Sequence, residues 1–244
     1  MSDDTQRSGP SKSSSETSVK AATGALVGAV GAADPVAGVA AGVAKEFIDP
    51  YLVRAFDKVR AIREQRALSA LSAGSDEAGV SLDRMVHTIE TSPELLTLMS
   101  ETVQAAMQTP LEEKIIALGR CLGRGVRDET MVDAEFIYVR GLAEIEATEV
   151  KVMQVLDQPT GLTPEGYAEA HWPGWRRPEI LSELPGFGAV LDASIARLTS
   201  AGMVKDDGIG RLPPDDGSDT EMWILTDFGK KCLSLLRAVT SNNP

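Results

Sequence analysis

The chain has 244 residues, of which 43% are hydrophobic and only 5% aromatic, and it carries a formal net charge of −12. This composition excludes a wholly disordered chain, and the scarcity of aromatic residues argues against an aromatic-rich all-β fold. So negative a surface repels phosphate backbones unless a basic patch is set apart from the rest.

The first 44 residues divide into a polar tail and an apolar segment. Residues 1–20 are rich in serine and show no positive cluster leading into an apolar core, so they predict a disordered tail rather than a secretory signal. Residues 21–44 carry Asp34 as their only charge and are rich in glycine and alanine, which predicts tightly packed small-residue helices. By length this segment is also able to enter a bilayer, and membrane association is the alternative interpretation, although Asp34-Pro35 interrupts the segment.

An amphipathic helix is predicted over residues 46–72, because apolar residues recur there at spacings of three and four. Its apolar positions are Ile48, Leu52, Phe56, Val59 and Ile62. Its basic positions are Arg54, Lys58, Arg60, Arg63 and Arg66. Against Asp57 and Glu64 these cations give a local charge of about +3, which makes them the candidate contacts for an anionic lipid surface. Residues 73–80 are predicted to form a break between this helix and the next one.

Capping patterns predict where the central helices begin. Ser92 followed by Pro93 is typical of a helix start, with serine as the N-cap and proline in the first turn. Thr109 and Glu112 have the spacing of a capping box, with Thr109 as the N-cap.

Further helices follow along the chain. The helix after Thr109 is predicted to fade at Gly123 and Gly125, and another is predicted to begin near Asp133. Thr148 is predicted to cap the next one. We therefore predict a helical domain, a bundle, over residues 45–146.

The C-terminal third has a distinctive order of predicted elements. After a proline-rich linker at residues 158–178 come a short helix, a turn, a longer helix, a strand, a polar loop, a second strand and a last helix. The predicted bounds are 179–184 and 188–201 for the two helices and Met203-Val204 and Glu221–Leu225 for the strands. Gly202 is predicted to end the longer helix in the left-handed conformation, and Thr226 to cap the last helix.

Two segments of this region resemble the same elements in bacterial winged-helix regulators. They are Leu198-Thr199-Ser200-Ala201-Gly202-Met203-Val204 and Trp223-Ile224-Leu225-Thr226-Asp227-Phe228-Gly229. The resemblance covers about residues 147–238 and implies a winged-helix domain at residues 147–240 with a two-stranded antiparallel wing, in which Gly229 permits close packing. A fold of this kind does not by itself give a function.

Nucleic acid is the alternative partner for such a domain. The longer helix, which takes the recognition position, carries one base, Arg197, and one acid, Asp192. From Glu144 to Arg237 there are sixteen acids against nine bases, whereas DNA readers need several cations for phosphates. We therefore interpret the domain as one that contacts protein, through a partner or through self-association, and keep a DNA-binding regulator as the alternative. In that alternative the contacts are Arg176, Arg177 and Arg197.

The layout of the whole chain resembles uncharacterised bacterial proteins grouped near the Abi-alpha abortive-infection family. The shared features are a glycine-rich apolar start, a basic amphipathic helix, a central segment like Leu111–Leu118 and a C-terminal winged helix closing with Leu225–Gly229. This resemblance implies a link to phage defence and supplies no catalytic residues.

The sequence carries no motif that indicates an enzyme. His87 and His171 have no carboxylate or cysteine at zinc-ligand spacing, and there is no Gly-x-Ser-x-Gly elbow or phosphate-binding loop. The acids Glu144, Glu146 and Glu149 are predicted to form a solvated helix face.

The two cysteines, Cys121 and Cys232, are each predicted to be a small buried hydrophobe in a helix, which fits a reducing cytoplasm. We therefore expect no catalytic residue, no cofactor and no metal. The sequence as a whole predicts a mainly α-helical cytoplasmic protein, a helical bundle followed by a winged helix, with a non-enzymatic interaction or regulatory role.

Overall fold

The computed structural model describes residues 50–159, 174–207 and 221–240. The predicted tail at residues 1–20, the apolar segment at 21–44, most of the predicted linker and most of the polar loop between the strands lie outside this part of the chain. The chain divides into two compact units, Met1–Ala67 and Leu68–Pro244. The second unit holds both the central helices and the C-terminal elements, and the proposed partition at residues 146 and 147 stays a prediction.

The described residues are mainly helical, with one small antiparallel sheet near the C-terminus, as the sequence predicts. The first five helices are α1 (Pro50–Ala78), α2 (Leu82–Glu90), α3 (Pro93–Gln108), α4 (Glu112–Arg127) and α5 (Val132–Glu144), with a 3-10 turn (Glu129–Met131) before α5. The remaining elements are α6 (Ala147–Leu156), α7 (Arg177–Glu183), α8 (Leu191–Ser200), β1 (Val204–Asp206), β2 (Trp223–Leu225) and α9 (Asp227–Thr240).

The core of the second unit lies among α3, α4 and α5, and α9 packs against α4. Its fully buried apolar side chains include Leu98, Leu118, Leu122, Val139 and Leu142. They come from helices that are close in sequence, which fits the apolar spacing of each amphipathic stretch.

Helix α1 ends only near the end of residues 73–80, so the break predicted there is wrong for most of its length. The helix continues to Ala78 and ends before Gly79, which has a φ of 69°. The reason is packing, because Gly74 lies against the backbone of α4, and a Cβ there would be 3.0 Å from the Gly119 carbonyl oxygen. Burial against a neighbouring helix outweighs the weak helix propensity of the Ala-Gly-Ser stretch.

Helix α4 does not fade at Gly123 and Gly125 either. It runs on to Arg127, and its glycines allow α1 to approach closely. A Cβ at Gly119 would lie 2.1 Å from the Ala70 carbonyl oxygen, and one at Gly123 would lie 2.3 Å from that of Gly74. The glycines that we predicted as terminators are therefore contact positions inside the helix.

The predicted helix caps have mixed outcomes. The Ser92 hydroxyl accepts a hydrogen bond from the Leu95 amide, as predicted. Thr109 is not the cap of α4, because Leu111 holds that position without a side-chain cap. Thr148 is not a cap either, because α6 begins at Ala147 and its N-cap is Glu146.

The two predicted strand segments pair in antiparallel fashion, although the strands are Val204–Asp206 and Trp223–Leu225. Val204 pairs with Leu225, Lys205 with Ile224 and Asp206 with Trp223, all antiparallel. Trp223 also exchanges two backbone hydrogen bonds with Trp175, of 2.9 and 3.0 Å, which adds an isolated antiparallel bridge beside β2.

Glycine and threonine shape the ends of this sheet as predicted. Gly202 has a φ of 72° and ends α8. The Thr226 hydroxyl accepts a hydrogen bond of 3.0 Å from the Gly229 amide and so caps α9. A Cβ at Gly229 would lie 2.2 Å from the Met203 carbonyl oxygen, so the close packing predicted for this glycine is confirmed.

Arg124 and Glu135 join α4 to α5 through a two-pronged ion pair. Nε and Nη2 of Arg124 donate to the two carboxylate oxygens of Glu135, each at 2.6 Å, and Glu135 is only 2% exposed. Burial opposes the charge on Arg124, yet the hydrogen bonds that it donates to Glu135 raise the pKa of the guanidinium above its ordinary range. Arg124 is therefore charged at neutral pH.

Both cysteines are free and buried, which confirms that prediction. Burial raises the pKa of Cys121 well above its ordinary value and that of Cys232 to about 12. Since the thiolate is the reactive form, these thiols are poor nucleophiles at neutral pH.

Candidate functional site

Helix α8 occupies the position that the sequence assigns to a recognition helix. It packs against α6 through Leu191, Ser194, Ile195 and Leu198, which are all buried. Its exposed positions are Asp192, Ala193, Ala196, Arg197, Thr199 and Ser200. Apart from Arg197, the outward surface of α8 is thus small or acidic.

A polar network joins α4, the end of α5, α6 and α8. Its member on α4 is Lys114. The Lys114 ammonium is 1% exposed and donates to the carbonyl oxygens of Ala143 and Ile145 at 3.1 and 2.6 Å. Its third donor reaches Oε1 of Glu146 at 2.9 Å. Lys114 therefore satisfies carbonyls left over at the end of α5, in addition to pairing with a carboxylate.

Glu146 carries this network into α6. Its side chain accepts from the Glu149 amide while the Glu149 carboxylate accepts from the Glu146 amide at 3.0 Å, so the two residues form a reciprocal capping box. The Thr109 hydroxyl, which we had expected to cap α4, donates instead to Oε2 of Glu146 at 3.2 Å. The start of α6 is thus tied to the residues that precede α4.

Glu149 links α6 to α8. Ser194 donates to its Oε1 at 3.4 Å, and Nη1 of Arg197 lies 3.6 Å from the same oxygen. Nη2 of Arg197 also donates to the Glu144 carbonyl oxygen at 2.7 Å. The predicted solvated face of Glu144, Glu146 and Glu149 is therefore wrong for Glu149, which is buried and works as an anchor for α8.

The burial of Lys114 predicts a specific dependence of stability on pH. Desolvation lowers its pKa, and the hydrogen bond and charge of Glu146 offset only part of that effect. Between the lowered pKa and the unfolded value of about 10.4, the unfolded chain binds the extra proton, so stability rises with pH. We expect the free energy of unfolding of the native chain to increase relative to that of Lys114→Met as pH rises from neutral towards about 10.4.

Chemical denaturation of both proteins across that range measures this difference. The difference between the two free energies of unfolding at neutral pH does not matter, because only its change with pH reports the titration of Lys114. Parallel curves would show that Lys114 titrates alike in the folded and unfolded chains.

The three arginines that we predicted as nucleic-acid contacts each face a carboxylate. Nε of Arg176, the N-cap of α7, pairs with Glu179 at 2.8 Å, and Nε of Arg177 pairs with Asp192, at the start of α8, at 3.0 Å. Arg197 is held by Glu144 and Glu149. The structure thus gives each of the three guanidinium groups a different acidic neighbour. Contact of these arginines with nucleic acid stays a prediction.

The five basic residues predicted to meet lipid all lie on α1. Arg54, Lys58 and Arg60 are exposed, and Arg63 and Arg66 are partly exposed. Arg60 donates to Oε1 of Glu64, one helical turn away, at 2.8 Å. Lipid contact by these residues also stays a prediction.

Three other features of the described ranges bear on function. A cleft of about 240 Å³ lies between α4, α6 and α9, beside Lys114, whose three donors are already used in the network. Residues 50–159, 174–207 and 221–240 bring together no group of three His, Cys, Asp or Glu side chains able to hold a metal ion. Within the same ranges, none of the helices has both the length and the apolarity needed to cross a bilayer.

Comparisons of this chain with protein-family models, with curated proteins and with solved structures find no match. We therefore infer the role of the protein from the surfaces described above.

The anchoring network is the part of this site that sequence reasoning missed. Lys114 and Glu146 are 32 residues apart, and Arg197 and the Glu144 carbonyl are 53 residues apart, so no local pattern joins them. One local signal was present: Glu146 and Glu149 have capping-box spacing immediately after the apolar Ile145.

Proposed function

We propose that the C-terminal elements form a winged-helix module that binds protein, a partner or a second copy of this chain, as part of a non-enzymatic regulatory role. The order α6, α7, α8, β1, β2 supports the winged-helix assignment. So does the Trp175–Trp223 bridge, because a short strand before the second helix, paired with the last strand, is typical of that fold.

The outward surface of α8 is the observation that favours protein over DNA. Ala193, Ala196 and Ser200 offer little that reads a base edge, and Asp192 pairs with Arg177, one of the three candidate nucleic-acid contacts. The only cation of α8, Arg197, is engaged by Glu149 and the Glu144 carbonyl. Small side chains instead leave room for the close approach of another protein surface.

Affinity capture from the native cell lysate tests this proposal, with a matched pair of variants. Ala196→Glu places a charged, longer side chain on the exposed surface of α8, and Ala238→Glu makes the same change on an exposed position of α9. We expect a partner, or a second copy of the chain, that survives nuclease and is retained by the native chain and Ala238→Glu but lost from Ala196→Glu.

DNA binding gives the opposite pattern. A DNA-binding regulator would shift duplex fragments in a salt-dependent way at low ionic strength and would be retained on heparin. Its captured material would disappear after nuclease treatment. Either result would replace the protein-binding proposal, and Arg176, Arg177 and Arg197 would then be the first residues to substitute.

The link to phage defence implied by the Abi-alpha resemblance stays a prediction. A strain that loses this protein should become more sensitive to phage if that link holds, and the Ala196→Glu variant should then fail to restore protection.

A further inference from the structure

The first turns of α1 expose an unusual concentration of large apolar side chains. Eleven large hydrophobic residues are exposed in the described part of the chain, and six of them lie between Tyr51 and Ile62. Leu52 is 53% exposed and Phe56 is 52% exposed. Single exposed apolar residues are ordinary on protein surfaces, whereas a cluster of this density marks a binding surface.

These residues share one side of the helix. Leu52, Phe56, Val59 and Ile62 are separated by four, three and three positions, so they project in similar directions at 100° per residue. The acids of this stretch, Asp57 and Glu64, are seven positions apart and fall together on the far side. The apolar row is therefore free of negative charge.

Cations accompany the apolar row. Residues 50–66 contain five bases and two acids, a net of +3, while the whole chain carries −12, which leaves −15 on the remainder. Lys58 and Arg60 are exposed and lie on either side of the row, at about 100° from its centre by the helix period. Their long side chains can extend along apolar surface while the charged ends reach outward.

We propose that this part of α1, which we call the basic-apolar face (residues 51–66), docks on an anionic lipid bilayer with the helix lying in the interface. Anionic lipid supplies both components that the face needs, an apolar acyl boundary for Phe56 and its neighbours and negative head groups for the cations. A second copy of the same face suits it less well, because pairing would bring like-charged cations together. The residues of this face lie outside the proposed winged-helix module.

The negative charge on the rest of the chain does not prevent this contact. Salt screens charges that lie more than about 10 Å from the surface at 0.1 M ionic strength, so distant acids act weakly.

Vesicle flotation of the full chain tests the proposal. The probes are phosphatidylcholine vesicles with and without phosphatidylglycerol, at low and high salt. We expect the native chain to float only with phosphatidylglycerol and to be released by salt. Since each cation near an anionic surface strengthens binding about fivefold, the double variant Lys58→Glu/Arg60→Glu should weaken binding at least about 25-fold, and Phe56→Ser about tenfold.

Matched variants separate this face from general charge and apolarity. Lys230→Glu/Lys231→Glu makes the same charge change on exposed positions of α9, and Ile137→Ser removes an exposed apolar side chain of α5. Both should bind vesicles like the native chain. All of these positions are exposed, and circular dichroism checks that each variant is folded.

Three results would overturn the proposal. The first is a native chain that does not bind phosphatidylglycerol vesicles, and the second is binding of Phe56→Ser and Lys58→Glu/Arg60→Glu that equals that of their controls. In the third, Phe56→Ser would lower the oligomeric state in sedimentation velocity without lipid and leave vesicle binding unchanged, which would assign the face to a second copy of the chain.

Discussion

Replacing Gly119 by alanine is expected to destabilise the protein by about 3 kcal/mol or more. The new Cβ would lie 2.1 Å from the Ala70 carbonyl oxygen, 2.9 Å from the carbonyl carbon and 2.9 Å from the Ala73 Cβ. The nearest obstacles are backbone atoms of α1, which cannot swing aside as the end of a flexible side chain can. The helices must therefore separate, and the contacts between them weaken together.

The direction of this effect is informative because intrinsic propensity predicts the opposite. Alanine in the interior of an open helix is about 1 kcal/mol more favourable than glycine. A loss of stability at Gly119 therefore measures the helix contact rather than the helix itself. Chemical denaturation followed by circular dichroism gives the free energy of unfolding.

Gly188→Ala is the matched control for this substitution. A Cβ at Gly188 meets no atom within 4 Å, so its stability should stay close to that of the native chain. If Gly119→Ala were as stable as Gly188→Ala, the close approach of α1 and α4 would be wrong.

Local signals made most of the fold predictable. The apolar spacing of each helix, the serine cap at Ser92 and the left-handed Gly202 all act within a few residues. The antiparallel pairing of the two strand segments was also predictable, because two short apolar strands flank a polar loop, whereas the register of Val204 with Leu225 was not. In such cases the residues that form the sequence pattern are also the residues that form the local structure.

The errors arose where a distant partner decides the outcome. Gly123 resembles a helix end when read alone, yet the Gly74 backbone, 49 positions earlier in the chain, makes it an interior contact. One spacing could have indicated this, since Gly119 and Gly123 are four residues apart, as are Ala70 and Gly74. Small residues at this spacing on two helices allow close packing.

The candidate site was predictable in place but not in detail. The position of α8 and its scarcity of cations were visible in the sequence. The bonds that occupy Arg197 were not, because its partners belong to the junction of α5 and α6. Composition predicted a surface poor in cations, and the structure adds that the only cation of α8 is already engaged.

Removing the carboxylate of Glu135 is the second change with a large expected effect. Glu135→Ala should cost about 3 kcal/mol of stability, because it leaves the Arg124 guanidinium largely buried without its counter-charge. Nη2 of Arg124 keeps only the weak acceptor Sγ of Cys121, at 3.3 Å. Thermal and chemical denaturation at neutral pH measure the loss.

A double variant distinguishes the loss of a favourable pair from the exposure of an uncompensated charge. Arg124→Met/Glu135→Leu removes both charges and fills the space with apolar atoms, and it should be more stable than Glu135→Ala. Glu64→Ala serves as the control, since it breaks the exposed pair with Arg60 and should leave the denaturation midpoint unchanged.

If Glu135→Ala behaved like Glu64→Ala, the pair between α4 and α5 would be solvated rather than buried. If the double variant were less stable than Glu135→Ala, the ion pair itself would be stabilising, beyond the cost of leaving one charge alone. The expected order, with the double variant between the native chain and the single variant, would mean that most of the loss in Glu135→Ala comes from the uncompensated charge on Arg124, and that the intact pair stabilises the alignment of α4 with α5. That alignment also determines where Ala143, Ile145 and Glu146 meet Lys114, and through Glu149 where α8 is held.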